Sequence, residues 1–251
     1  MLRINLLFCA FFLFVSTAWA QQQDEEAYRR EFNYGINFNS NGGLIGGGMI
    51  KASQYLKPNW SKFWGLEIVE VKHPKEKGNR VFSQETGNSF IFGKSNYLYA
   101  LRPHYGREYV FFRKAPESGV QVNGIFAGGP TIGLLVPYYI VYDYSSYTGP
   151  RPGGQTDYRT EQYDPIKHDS NERIRGNAGF LSGFGQTNFN LGLHAKGGLS
   201  FEYGRYREDV TGVEVGFLLE AYPKKMILVP RANNTSLFSS VYLILYYGRR
   251  K

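Results

Sequence analysis

The chain has 251 residues, with 29 Lys+Arg against 21 Asp+Glu for a formal net charge of +8, and 17% of its residues are aromatic. Its single cysteine, Cys9, lies in an apolar N-terminal run, which excludes an intrachain disulfide and a cysteine-ligated metal site. The positive charge is dispersed rather than blocked. If the chain is exported, acidic lipid headgroups are a better counterpart than nucleic acid, and an ordinary basic surface accounts for the excess more readily than a specific anion site.

Residues 1–20 have the layout of a secretory signal. Arg3 supplies the positive start, Leu6–Val15 the apolar run, and Ala18-Trp19-Ala20 the small-x-small cleavage site before Gln21. That run is too short to span a bilayer as a helix, and the polar Gln21–Glu26 stretch ends it. The expected division is a cleaved signal peptide over 1–20, a periplasmic N-terminal segment over 21–30 and a β-barrel over 31–251.

The next stretches alternate with a period of two. Over Glu31–Asn39, Phe32, Tyr34, Ile36 and Phe38 share one face against polar and glycine positions. Ser40-Asn41-Gly42 is turn chemistry, and Gly43–Tyr55 returns as a second strand. Its Gly46-Gly47-Gly48 lacks the rest of any phosphate-binding fingerprint and reads as glycine where something packs close. Ser61–His73 sets Trp64, Leu66 and Ile68 against Glu67, and the polar 74–88 is a loop. Ser89–Arg102 and His104–Lys114 read as two strands divided at Pro103, with Glu108 opposed to Tyr105, Tyr109 and Phe111. Residues 115–119 form a turn. Val120–Ala127 and Thr131–Tyr144 read as two strands joined by Gly128-Gly129-Pro130, and Pro137 within the second implies a bulge.

The long break 145–190 is too polar and too rich in Pro and Gly to be a core element, and its Arg173–Asn190 part reads as a short helix, a plug or a folded-over loop. Leu191–Tyr203 is the clearest strand. Leu191, Leu193, Leu199 and Phe201 lie on one face, and His194, Lys196, Ser200 and Glu202 on the other. Gly212–Tyr222 repeats the device, with Val213, Val215, Phe217 and Leu219 against Glu214 and Glu220. Residues 223–235 are a loop, and 236–248 a final aromatic strand.

This pattern predicts an all-β, closed antiparallel up-and-down transmembrane barrel of about ten strands, within a range of about 8–12. With a periplasmic N-terminus, 40–43, 74–88, 115–119, 145–190 and 223–235 face outward. Residues 56–60, the break at 103, 128–130 and 205–211 then face the periplasm. Nearly every long connection falls on one side, as in bacterial barrels.

The sequence resembles the small outer-membrane β-barrel proteins of Bacteroidota. The likeness rests on Phe92–Tyr99, Leu101–Arg107, Gly128–Leu134 with Pro137-Tyr138-Tyr139, and the ending Tyr247-Gly248-Arg249. The resemblance implies a barrel integral to the outer membrane and carries no agreed activity and no transferable site residues.

The candidate chemistry lies on the inward face. His194, Lys196, Glu202, Glu214 and Glu220 form a lumen polar network in which Lys196 is balanced by Glu202, Glu214 or Glu220, because buried charges need partners. Ser200 is six residues from His194 on the same strand face, about 20 Å away, so the two make no catalytic dyad. The histidines and carboxylates show no metal-ligand spacing, so neither metal nor cofactor is expected, nor enzyme activity. Leu191, Leu193, Leu199, Phe201, Val213, Val215, Phe217 and Leu219 are expected to face lipid. The expected partners are outer-membrane lipids, including lipopolysaccharide, and an envelope protein docked on the outer loops. The reading is a monomeric barrel with a structural, binding or secretion-complex accessory role. A narrow channel, a lipid-modifying barrel enzyme and a soluble secreted β-sandwich stand as alternatives.

Overall fold

A computed structural model of the chain describes residues 30–83, 86–114, 119–145, 157–168, 170–203 and 209–250. The expected signal over 1–20 and nearly all of the segment over 21–30 lie outside these residues. The described chain forms thirteen strands: β1 (Arg30–Asn39), β2 (Gly43–Lys57), β3 (Trp60–Val71), β4 (Arg80–Phe82), β5 (Ser89–Ile91), β6 (Asn96–Phe112), β7 (Val120–Pro137), β8 (Tyr139–Asp143), β9 (Tyr158–Gln162), β10 (Ile174–Asn177), β11 (Asn188–Tyr203), β12 (Asp209–Ala221) and β13 (Leu237–Arg250). Eight of them close into a barrel in the order β1-β13-β12-β11-β7-β6-β3-β2. Every pairing is antiparallel. Closure is made by β1 on β13, from Glu31 opposite Arg250 to Asn39 opposite Tyr242. A closed sheet leaves no edge, so its backbone groups are paired without help from water.

The barrel has eight strands rather than about ten because two breaks read from the sequence lie inside strands. Leu101 is opposite Ile132 and Tyr105 is opposite Gly128, so the β6–β7 register passes unshifted through Pro103 and Pro130. The two prolines fall opposite each other, and the two donors missing from the ladder are missing from one and the same pair. A proline facing a proline interrupts two hydrogen bonds without leaving an orphan N–H. Pro137 is also not inside a strand. It is the last residue of β7, and no bulge forms there.

Merging those strands moves one connection. The link between β6 and β7, expected as an outward loop over 115–119, joins strand ends on the side where β1 begins, β13 finishes and the short β2–β3 turn lies, not on the side of the long loops. The long connections β3–β6, β7–β11 and β12–β13 all emerge at the other end, with the short β1–β2 hairpin. Two of them are built into a cap. β4 pairs with β5, and β10-β8-β9 form a three-stranded sheet. The described part of 145–190 is therefore ordered, holding β9, β10 and a 3₁₀ helix over Phe180–Gln186 that packs beside the ends of β7 and β8. It does not plug the lumen. The cap has its own core, in which Phe90, Tyr138, Ile140, Tyr163 and Ile174 pack on Tyr97 and Val136 where β6 and β7 rise past the rest of the barrel.

Candidate functional site: the filled lumen

Side-chain alternation sends one set of residues inward from every strand. At the long-loop end this inward set is apolar. Val69 and Val71 of β3, Leu98 and Ala100 of β6, and Tyr222 meet Met226, Leu228 and Val229 from the β12–β13 connection, all of them buried. That connection folds into the mouth. The stopper is thus formed within 223–235, expected from the sequence to be a loop, together with Tyr222.

Below the stopper the lumen is filled by paired charges. Lys196 of β11 places Nζ 2.6 Å from Glu67 of β3 and 2.9 Å from Glu214 of β12. Asn37 donates to Glu67 at 3.3 Å, and the Tyr242 hydroxyl donates to Glu214 at 2.9 Å. Arg102 of β6 binds Glu220, with Nε at 3.0 Å, and the Tyr222 hydroxyl donates to the same carboxylate. Lys51 of β2 lies 3.3 Å from Glu108, which also accepts from Asn123 at 2.7 Å. Toward the termini, Glu202 takes Lys114 at 3.0 Å together with Arg250, whose Nε is 2.8 Å from Glu31.

The expected inward residues His194, Lys196, Glu202, Glu214 and Glu220 are all buried here, each at most 5% exposed. Their partners differ from the expected ones. Lys196 is balanced by Glu67 and Glu214, whereas Glu202 and Glu220 belong to separate clusters around Arg250 and Arg102. His194 bonds Thr131 at 2.9 Å through Nδ1, and its Nε2 has no hydrogen-bond partner among the described residues. Its ring meets that of His104 edge-on, with centroids 5.7 Å apart. His104 in turn lies across Gly65, where a Cβ would come within 2.1 Å of the imidazole, so only glycine admits it there. His104 donates from Nδ1 to the Arg102 carbonyl at 3.1 Å.

Sequence reasoning passed over Arg102 and His104 as inward groups because the break placed at Pro103 hid their alternation with Gly106 and Glu108. Ser200 shares a 2.6 Å hydrogen bond with Tyr246, not with a histidine. No serine hydroxyl bonds a histidine among the described residues, and none of their His, Cys, Asp and Glu side chains make a group that would hold a metal.

The outer face is the complement. Leu191, Leu193, Leu199, Phe201, Val215, Phe217 and Leu219 are exposed, and Val213 is half-buried, all on the outward side of β11 and β12. Aromatic pairs gather toward the terminal end: Tyr34 with Tyr247, Trp64 with Tyr105, and Trp60 with Tyr109, at centroid distances of 5.8, 4.8 and 4.9 Å.

In the cap, Lys94 and Glu76 form a buried ion pair at 2.6 Å beneath Tyr97. Burial pulls the Lys94 ammonium below its ordinary range against the opposing pull of Glu76. Partial burial raises the Glu161 carboxyl, but donation from Lys167 at 2.5 Å, from Tyr144 and from His168 at 2.9 Å outweighs it and holds the group down at about 2.

Fold and site together define a closed eight-stranded antiparallel β-barrel with a greasy outside, a charge-paired and stoppered inside, and a folded cap at one end. Several solved structures of similar layout are small outer-membrane barrels. Neisserial surface protein A aligns with a TM-score of 0.39 and 8% identity, over 88% of this chain and 96% of that one. Ail, the attachment invasion locus protein of Yersinia pestis, in complex with the heparin analogue sucrose octasulfate, gives 0.37 and 8%, over 89% and 97%. Outer membrane protein W of E. coli gives 0.35 and 12%, over 90% and 100%. Likeness at these scores carries no functional information. No protein-family model matches the sequence, nor does any curated protein.

Proposed function

We propose that the chain is an integral barrel of a bacterial outer membrane, exported by the signal read in residues 1–20. Its role is structural, binding or accessory to a secretion complex, with the cap turned outward and the lumen shut. The short strings shared with small barrels of Bacteroidota belong to the same reading, as does lipopolysaccharide as a surrounding lipid. Acyl chains cover the outward face formed by Leu191, Leu193, Leu199, Phe201, Val213, Val215, Phe217 and Leu219. His194, Lys196, Glu202, Glu214 and Glu220, with their partners, brace the wall from inside.

One observation carries the assignment to binding rather than passage. The lumen is occupied from end to end, first by Met226, Leu228 and Val229, then by ion pairs between strands that are not neighbours in the wall. An eight-stranded barrel has room for its own side chains and little else. The folded mass outside the wall is the cap, and the cap is the surface offered to a partner. The test has two arms. In a planar bilayer the protein is expected to show no steady conductance, and a stable open channel would overturn the reading. A photo-crosslinker at the exposed Tyr158 of the cap is expected to capture an envelope protein, while one at Phe217 captures lipid.

A further inference from the structure

On the outer wall at the terminal end, four side chains of adjacent strands fall in one lateral row. Arg30 of β1 is opposite Gln54 of β2, Gln54 is opposite Lys62 of β3, and Lys62 is opposite Arg107 of β6. The row holds three cations and an amide, and no carboxylate. Directly opposed side chains on antiparallel strands have Cβ atoms about 4.5–5.5 Å apart, and like charges placed there repel. Arg107 lies over the Tyr105 ring at 5.5 Å, but among the described residues neither it, Lys62 nor Arg30 has an ion pair. The contrast with the lumen is sharp, since Lys51, Arg102, Lys114, Lys196 and Arg250 each sit on a carboxylate.

The rows on either side say what kind of anion belongs there. Toward the barrel waist comes Phe32, Ala52, Trp64 and Tyr105, and next Tyr34, Ile50, Leu66 and Pro103. Toward the rim, Trp60 packs on Tyr109. The cations therefore lie within an aromatic belt, at the depth where amphipathic rings and basic side chains meet lipid headgroups. Arg30 and Lys62 line one hollow of the wall with Phe32 and Trp64; Arg249, paired with Asp209 at 3.5 Å, and Glu31, paired with Arg250 at 2.8 Å, border it as well. A phosphate seated between Lys62 and Arg107 turns their repulsion into two charge-assisted contacts.

We propose that this row is a binding site for the phosphodiester headgroup of an anionic phospholipid, in the leaflet at the terminal end, with acyl chains lying over Phe32, Trp64 and Tyr105. The proposal rests on the membrane-spanning reading above. It commits to a lipid because a free phosphate has no use for the apolar rows that continue the site.

The full chain is folded into detergent micelles, and lipid retention is measured by native mass spectrometry with phosphatidylglycerol and phosphatidylcholine supplied equally. Insertion into vesicles of each lipid is followed in parallel. The parent protein is expected to retain phosphatidylglycerol severalfold over phosphatidylcholine. The Lys62→Gln/Arg107→Gln variant is expected to lose that preference while still inserting into phosphatidylcholine vesicles. Equal retention by the parent, or an unchanged preference in the variant, overturns the site and leaves the membrane reading standing. Displacement of the lipid by millimolar inorganic phosphate makes it a simple anion site and overturns the lipid assignment. Failure of the parent to insert into either vesicle defeats both.

Discussion

Lys196→Met is the most informative single change in the lumen. It leaves Glu67 and Glu214 buried with only Asn37 and Tyr242 as polar partners. At Nζ–O separations of 2.6 and 2.9 Å, each attraction amounts to ~6 kcal/mol at an effective dielectric constant of ~20. Desolvation of the ammonium offsets much of that total and vanishes with the charge, so the expected net loss is about 3–5 kcal/mol, the usual cost of orphaning a buried partner. The triple variant Lys196→Met/Glu67→Gln/Glu214→Gln removes the orphaned charges as well and is expected to recover to within about 2 kcal/mol of the parent. Urea unfolding from lipid vesicles, followed by the fluorescence of Trp60 and Trp64, measures both. A loss below ~1 kcal/mol in the single variant, or a triple variant as unstable as the single, would refute the coupling.

Three further outcomes follow from the same geometry. Met226→Ala and Leu228→Ala, which hollow the stopper, are expected to cost about 2–5 kcal/mol each. Neither should produce conductance in a planar bilayer, because the ion pairs below still fill the lumen. Glu161 has its carboxyl lowered from 4.5 to about 2 in the folded cap, so its contribution to cap stability is complete above pH 4.5 and fades as the pH falls toward 2. Hydrogen exchange in β9 should quicken over that window in the parent but not in Glu161→Gln, and an identical acid profile in both would count against the Lys167–Glu161–His168 cluster. Pro103→Val restores a donor facing Pro130 and is expected to raise stability by about 0.5–1.5 kcal/mol in the same urea assay, whereas a strained site would show a loss.

Much of the wall was legible because it repeats a period of two. Leu191–Tyr203 and 212–222 show both faces in the sequence alone, since Lys196, Glu202, Glu214 and Glu220 alternate with the leucines and valines around them, Leu218 being the one exception and pointing inward with the charges. Proline misled the strand count. Pro103 and Pro130 each look like a break when taken alone, and only the pairing of one strand with the other shows that a single gap in the ladder accommodates both. The same error hid Arg102 and His104. Partner choice in the lumen was out of reach for a different reason. Glu67 and Lys196 are on strands far apart in sequence, and which carboxylate faces which ammonium depends on barrel stagger, which no local pattern encodes. The stopper was hidden because Met226-Ile227-Leu228-Val229 is a short apolar run inside a polar connection, without alternation to mark it. The cap was hidden because its strands are three to five residues long.

The central claim is that acyl chains cover the outward face of the barrel. With Trp19, Trp60 and Trp64 changed to phenylalanine, a single reporter is introduced as Phe217→Trp on the outward face or as Leu218→Trp on the inward one, and each protein is folded into vesicles whose lipids carry bromine at mid-chain. Strong quenching of the Phe217→Trp protein, with the Leu218→Trp protein nearly untouched, is the predicted result. Equal quenching, or none at position 217, would contradict it.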